Sequence, residues 1–178
     1  MLRTFRLASL SLACISILST VAASTQQAPE AGGAPVPPML LTAKKVFVSN
    51  AGADSGLFPH PFSGSPDRPY NQFYAAVQGW GRYELVADPQ EAELVFEIQL
   101  MGPSGPANPN KQKGASDPLP MFRLSILDRK THYILWTLTE SIGFAFLQKT
   151  HDHNFDEALA ALTLDLKRLT TKSPAGTP

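Results

Sequence analysis

The residues best suited to chemistry are three consecutive polar side chains in the last third of the sequence, His151, Asp152 and His153. Imidazole and carboxylate groups bind Zn²⁺, which needs three or four protein ligands or waters around one point. His60 or His132 is a candidate to complete such a set. Neighbouring histidines do not establish convergence, and the alternative is a polar loop that leads into a helix. We keep the three residues as metal candidates and predict no bound metal and no cofactor.

Other catalytic signatures are missing from the sequence. Nucleophilic catalysis needs a Ser, Thr or Cys beside an oriented base, and the Gly-x-Ser-x-Gly pattern does not occur. The single cysteine, Cys14, lies in the amino-terminal segment described below. Glu91 and Glu93 are expected to flank the start of a strand rather than to share a proton. We therefore predict a protein without catalytic residues; the alternative is a small exported metal-dependent or hydrolytic enzyme that uses the region of His151 and His153.

A long loop rich in Gly and Pro, residues 52–68, holds four side chains that could bind a partner. They are Leu57, Phe58, His60 and Phe62. Long loops in compact domains tend to be functional or disordered. The alternative, which we favour, is that these side chains fold back to cover a sheet edge, since exposed edges need cover.

Short segments of apolar alternation predict a β-sheet. They are residues 45–49, 83–86, 94–100, 121–127 and 133–139. The clearest is the third, where Leu94, Phe96, Ile98 and Leu100 share one face. The last two segments are expected to form an antiparallel hairpin. Residues 101–120, which precede this hairpin, are predicted to be a loop, and Trp136 is expected in the core.

Two segments have helical periodicity. In the first, Tyr70, Phe73, Tyr74 and Val77 form one stripe, which Gly79 and Gly81 end. In the second, Asn154 is predicted as the N-cap with Glu157 three residues later. Because a right-handed crossover makes the first strand parallel to a later one, we predict an α/β (α+β) domain. Its mixed sheet has four to five strands, with two helices packed on one face.

The first 23 residues have the three parts of a signal peptide. Arg3 and Arg6 precede an apolar run at residues 7–18, and small residues follow at 21–23. The run is shorter than the roughly 20 residues that span a bilayer. We therefore expect cleavage after Ala23 and export to the periplasm or the cell exterior. Acylation at Cys14 is the alternative, although Ser11 stands where a lipobox has Leu.

Composition divides the rest of the chain. Residues 24–43 are predicted to be a flexible tether rich in Pro, Gly and Ala, residues 44–172 a single α/β domain, and residues 173–178 a disordered tail. The sequence holds 15 basic and 15 acidic residues, for a formal net charge of +0. Loss of the signal peptide removes two arginines, so the mature chain is slightly acidic, which argues against a nucleic-acid partner.

The hairpin segment resembles a known family. Residues 128–136 (Asp-Arg-Lys-Thr-His-Tyr-Ile-Leu-Trp) are similar to the Asp-x-x-Thr-Gly-x-x-Leu-Trp hairpin of small bacterial envelope domains. These include the TolB amino-terminal domain, the CsgG-like assembly proteins and related uncharacterised lipoproteins. Residues 81–86 and 91–95 resemble the strands that precede that hairpin, although His132 replaces a Gly and Glu93 an Asp.

The resemblance implies a non-catalytic domain of the cell envelope that binds a partner or assists assembly, and it carries no catalytic residue across. We therefore expect an exported module that holds an envelope protein on the sheet face opposite the helices or on an edge strand. No transmembrane span is expected. The sequence does not specify the oligomeric state.

Overall fold

The computed structural model describes residues 34–107 and 116–171. These residues form α1 (Pro38–Thr42), β1 (Lys45–Ala53), α2 (Arg68–Trp80), β2 (Glu84–Leu85), a 3₁₀ turn (Pro89–Glu91), β3 (Leu94–Met101), β4 (Ser104–Ala107), β5 (Ser116–Pro118), β6 (Met121–Asp128), β7 (Ile134–Ser141) and α3 (Gln148–Thr171). The predicted signal peptide, the predicted tail and residues 24–33 of the predicted tether lie outside the described residues.

The main sheet has five strands in the order β2-β1-β3-β6-β7. β1 pairs in parallel with β2 and β3, whereas β3–β6 and β6–β7 are antiparallel. α2 follows β1 in the chain and contacts β1 and β3. α3 contacts β6 and β7. The predicted fold class, a mixed α/β sheet, is confirmed.

One face of this sheet contributes its side chains to the hydrophobic core. β3 alternates between buried and half-buried positions along its whole length, because side chains of a strand point alternately to opposite faces. Register places Phe96 opposite Ile126, and Ile126 in turn opposite Trp136. From the helices the core receives Phe73, Val77, Phe155, Leu159, Leu162 and Leu166, all buried.

The folded unit begins earlier than the predicted boundary at residue 44. Residues 38–42, expected in the tether, form α1, and Leu40 is fully buried. The Arg82 guanidinium donates to the Leu41 carbonyl oxygen at 2.7 Å, which fixes the end of this helix. Residues 24–38 are poor in large apolar groups, but Leu40 anchors the last residues of the predicted tether to the core.

The predicted start of the last helix is wrong. α3 begins at Gln148, six residues before the expected N-cap, and Asn154 lies inside the helix. Its side-chain amide donates to the Gly143 carbonyl oxygen at 2.9 Å instead of accepting from a helix N–H. His151, Asp152 and His153 therefore stand on a helix and not in a loop.

The segment predicted as a loop after β3 contains a second, two-stranded sheet of β4 and β5. The two strands are antiparallel, with Ser104 opposite Pro118. A Cβ at Gly105 would lie 2.5 Å from the Asp117 carbonyl oxygen, so glycine allows this close approach. In the part of the chain that the structure describes, no helix is long and apolar enough to cross a membrane.

Candidate binding surface beside the start of α3

The three metal candidates face different surroundings, since each step along a helix turns a side chain by about 100°. The His151 ring lies between the rings of Phe62 and Phe144, at centroid distances of 5.9 and 6.0 Å. The exposed His153 Nε2 lies 3.2 Å from Glu157 Oε1. Within residues 34–107 and 116–171, no three His, Cys, Asp or Glu side chains are grouped so as to hold a metal ion.

Asp152 belongs to an ion-pair cluster that joins three elements. Its Oδ1 lies 2.5 Å from Arg68 Nη1 on α2, and the Ser63 N–H donates to the same oxygen at 2.9 Å. Arg68 Nη2 lies 2.7 Å from Asp156 Oδ1, and the guanidinium stacks 4.2 Å from the Phe155 ring centre. The cluster fastens the 52–68 loop and α2 to α3, which is a structural role.

Protonation of this cluster follows from its contacts. Burial alone would raise the pKa of Asp152, but hydrogen bonds from Ser63 and Arg68 hold it below its usual value. For Arg68, burial would lower the pKa, and the bonds to Asp152 and Asp156 raise it above its usual value. Both groups are therefore charged over the ordinary pH range.

The loop residues proposed to bind a partner differ in exposure. Leu57 and Phe62 are buried in the core, at 2% and 0% exposure, so they offer no surface to a partner. Phe58 packs against the core and lies 6.4 Å from the Phe155 ring. His60 is exposed. This loop folds inward, onto the first turns of α3.

Exposed apolar side chains cluster in the segment between β7 and α3; elsewhere in the described residues Tyr133, Ile134 and Leu164 are also exposed. Phe144, Phe146 and Leu147, which we call the aromatic ridge, are 72%, 92% and 70% exposed. The rings of Phe144 and Phe146 meet edge to face at 5.0 Å. Leu119, after β5, is 55% exposed. Contiguous apolar surface of this kind marks an interaction site more often than a chance exposure.

The aromatic ridge is anchored at both ends. Before it, Ile142 is buried and its N–H donates to the Pro120 carbonyl oxygen at 2.8 Å. Within it, Ala145 is buried at 7% exposure, so the side chain between the two phenylalanines is shielded from solvent. After it, the N–H groups of Thr150 and His151 both donate to the Leu147 carbonyl oxygen at 3.0 Å. These contacts hold the backbone of the aromatic ridge in a defined position.

A cavity of about 250 Å³ opens beside the aromatic ridge. It is lined by Pro61, Asp117, Pro118, Leu119, Pro120, Ile142, Gly143, Phe144 and His151. Two larger clefts of about 580 Å³ each are more open and more polar; one runs between α2 and α3. We regard the smaller cavity as the candidate site, because an enclosed apolar wall favours binding more than volume does.

Sequence reasoning missed the aromatic ridge. The signal that could have found it is the run Gly-Phe-Ala-Phe-Leu at residues 143–147, which is apolar but belongs to none of the predicted strands or helices. Apolar side chains between two elements, without a periodic place in either, indicate an exposed or a specially anchored segment.

No family model and no curated protein matches this chain. Several solved bacterial structures are similar to it. PelC from Paraburkholderia phytofirmans, a dodecamer, is 13% identical over 73% of this chain and 89% of its own, with a TM-score of 0.44. A DUF330 protein from Xanthomonas campestris is 15% identical over 70% and 81%, with a TM-score of 0.44. Uncharacterised lipoprotein B from Nitrosomonas europaea is 15% identical over 73% and 82%, with a TM-score of 0.34.

Neither TolB nor a CsgG-like protein is among these three proteins. None of the residues described above takes a role from these likenesses. The surface with the most binding potential in the described residues is the aromatic ridge with its cavity.

Proposed function

We propose that this protein is a non-catalytic binding module of the bacterial cell envelope, which holds a protein partner on the aromatic ridge. The observation that carries the proposal is the exposure of Phe144, Phe146 and Leu147 beside an apolar cavity. Aromatic anchors next to a pocket are the residues that dominate the binding free energy of protein interfaces.

The free energy available at this surface is substantial. An aromatic side chain buries about 150–250 Å², and each Å² of apolar surface removed from water contributes roughly 25 cal/mol. Covering Phe146 alone would therefore contribute on the order of 4 kcal/mol before the costs of association. Because burial of Ala145 and Ile142 fixes the segment, little additional ordering of its backbone is needed on binding.

The charged groups support a non-catalytic role. Among the described residues, the carboxyls of Glu93 and Asp128 also have shifted pKa values, and both accept hydrogen bonds from backbone N–H groups. The N–H groups of Lys44 and Lys45 donate to Glu93 Oε2 at 2.5 and 2.9 Å and hold the pKa of that carboxyl below its usual value. Glu93 therefore fixes the start of β1, at a position where the resembled family has Asp.

Asp128 is the second such carboxylate. The Thr131 hydroxyl and the Lys130 N–H donate to it at 2.7 and 2.9 Å, and they hold the pKa of Asp128 below its usual value. This is the hydrogen bonding of a tight turn between β6 and β7. Each shifted pKa thus has a structural cause, and a metal-dependent or hydrolytic enzyme at His151 and His153 gains no support from them.

Placement in the envelope rests on the sequence. The predicted signal peptide at residues 1–23 and the resemblance of residues 128–136 to envelope hairpins support an exported protein. Kinship with TolB or with CsgG-like assembly proteins in particular is part of this proposal.

Site-specific photocrosslinking tests the proposed function. A photoreactive amino acid is placed at Phe146 in the exported chain, and in a matched control at Leu164, an apolar residue of α3 that is 46% exposed. We expect discrete protein adducts at Phe146 that a Phe144→Ser substitution abolishes, and none at Leu164. Equal adducts at both positions, or adducts that survive Phe144→Ser, would show that the aromatic ridge is not the binding surface.

A further inference from the structure

We infer that the occupant of the aromatic ridge is a second copy of this chain, in a two-fold dimer where Phe146 of each copy fills the cavity beside Phe144 of the other. The inference rests on the proposed function and names the partner. A two-fold interface brings one surface patch against itself, so a projecting group and its receptor must lie on the same patch. Here they do, because Phe144 belongs to the ridge and also lines the cavity.

The shapes of the two features match. Phe146 is 92% exposed and is the most exposed large apolar side chain of the described residues. The cavity of about 250 Å³ is smaller than the roughly 300 Å³ or more typical of small-molecule pockets, which suits a single side chain. Its walls offer Leu119, Ile142 and the ring of Phe144 for contact. A phenylalanine inserted there would meet Phe144, and aromatic pairs favour such contacts.

The area is sufficient for a dimer of moderate affinity. Leu119, Phe144, Phe146 and Leu147 together expose on the order of 500 Å² per copy, taking about 150–250 Å² for a whole aromatic side chain. With a polar rim, this approaches the roughly 800 Å² per partner of a standard interface. We therefore expect dissociation in the micromolar range.

Charge also favours a second copy over a membrane. Residues 141–148 hold no charged side chain, and Asp117 is the one acidic residue among those that line the cavity. The ridge segments of two copies can therefore meet without like-charge repulsion between them. Surfaces that insert into anionic lipid combine apolar groups with several Lys or Arg, and here Lys149 is the one Lys or Arg within five positions of the ridge in sequence.

Sedimentation velocity over a concentration series tests the inference. The exported protein is compared with Phe146→Ser and with a matched control, Leu164→Ser, which removes an exposed apolar side chain on another surface of α3. We expect a monomer–dimer equilibrium in which Phe146→Ser weakens association by about 30-fold or more, as for loss of a central aromatic anchor. The control should associate like the unsubstituted protein. Because Phe146 is almost fully exposed, its substitution leaves the core intact, which circular dichroism checks.

Other outcomes overturn the inference and separate it from the proposed function. A chain that stays monomeric at all concentrations, yet gives Phe146-dependent adducts with another protein, keeps the proposed function and excludes the dimer. A monomer that binds phosphatidylethanolamine–phosphatidylglycerol vesicles through Phe146 excludes both. Association that survives Phe146→Ser, or that closes into a larger ring, excludes the two-fold arrangement.

Discussion

Arg68 on α2 holds Asp152 on α3 through a contact of 2.5 Å between Nη1 and Oδ1, across 84 positions of sequence. Only 15% of the Arg68 side chain and 23% of the Asp152 side chain are exposed. The Ser63 N–H donates to the same Asp152 carboxylate, so this ion pair fixes the relative positions of a loop and two helices. The first turns of α3, beside which the aromatic ridge lies, depend on this pair.

Substitution of Arg68 by Met should destabilise the protein by about 3 kcal/mol, the lower end for breaking a buried ion pair. Asp152 would lose its charged partner while remaining largely buried. Urea unfolding followed by circular dichroism measures the change. The matched control is Asp165→Asn, since the Arg168–Asp165 pair is exposed at 70% and 46% and should contribute under about 1 kcal/mol. Equal losses in the two variants would show that the Arg68 pair contributes no more than a surface contact.

Stability should fall in acid because of Asp152. Its pKa is lower in the folded state than the value of about 3.9 in an unfolded chain. The unfolded state therefore binds the proton first, so the contribution is fully present above about pH 4 and is lost as pH falls through the folded pKa. Urea midpoints measured from neutral pH downward should decline more steeply for the unsubstituted protein than for Asp152→Asn. Parallel curves would contradict the assignment.

The main sheet could be predicted from the sequence because its signals are local. The alternation from Leu94 to Leu100 defines one buried face, and the structure buries these side chains completely. The resemblance at the hairpin placed His132 at a position where glycine supplies a positive φ, and His132 has a φ of 61°. Both inferences use residues adjacent in sequence.

The candidate site could not be predicted in the same way because its signals are not local. Asp152 interacts with Ser63 and Arg68, which are far away in sequence. The sequence alone shows only that Asp152 stands between two histidines, and that pattern indicated a metal site. Asn154 followed by Glu157 fits a capping box equally well inside a helix and at its start. The contact of Asn154 with Gly143, which decides between these positions, becomes visible only in three dimensions.

Phe96→Ala and Trp136→Ala should differ in cost, although the sequence pattern places both in the core. Phe96 is fully buried in the central strand β3, whereas Trp136 is half-buried on the edge strand β7. Truncation of a buried aromatic costs about 3–5 kcal/mol, which we expect for Phe96, with about half that loss at Trp136. Urea unfolding of both variants gives the comparison. Equal losses of stability in the two variants would mean that another group covers the free edge of β7 and buries Trp136.

His132→Gly should stabilise the protein slightly or leave it unchanged. A left-handed conformation costs an ordinary residue about 1–2 kcal/mol, and glycine removes this cost while it increases the entropy lost on folding. The net gain expected from these opposing terms is up to about 1 kcal/mol. Thermal unfolding measures it, with Lys130→Gly in the same turn as the control, where no positive φ is relieved. A clear loss of stability on His132→Gly would show that the imidazole makes a contact that matters more than the backbone.

Asn154→Ala should loosen the aromatic ridge rather than fray α3. The Asn154 amide donates to the Gly143 carbonyl oxygen, so its loss should cost about 1 kcal/mol and increase hydrogen exchange at residues 143–147. Residues 155–165 of α3 should keep their protection, which mass spectrometry of exchanged peptides can resolve.

Asn154→Asp separates the two possible roles of this side chain. Aspartate is a good N-cap, but as a carboxylate it cannot donate a hydrogen bond. If the Asn154→Asp variant kept the protection of the ridge, Asn154 would act as a cap. We expect this variant to lose protection at residues 143–147 as Asn154→Ala does, because the bond to the Gly143 carbonyl oxygen requires a donor.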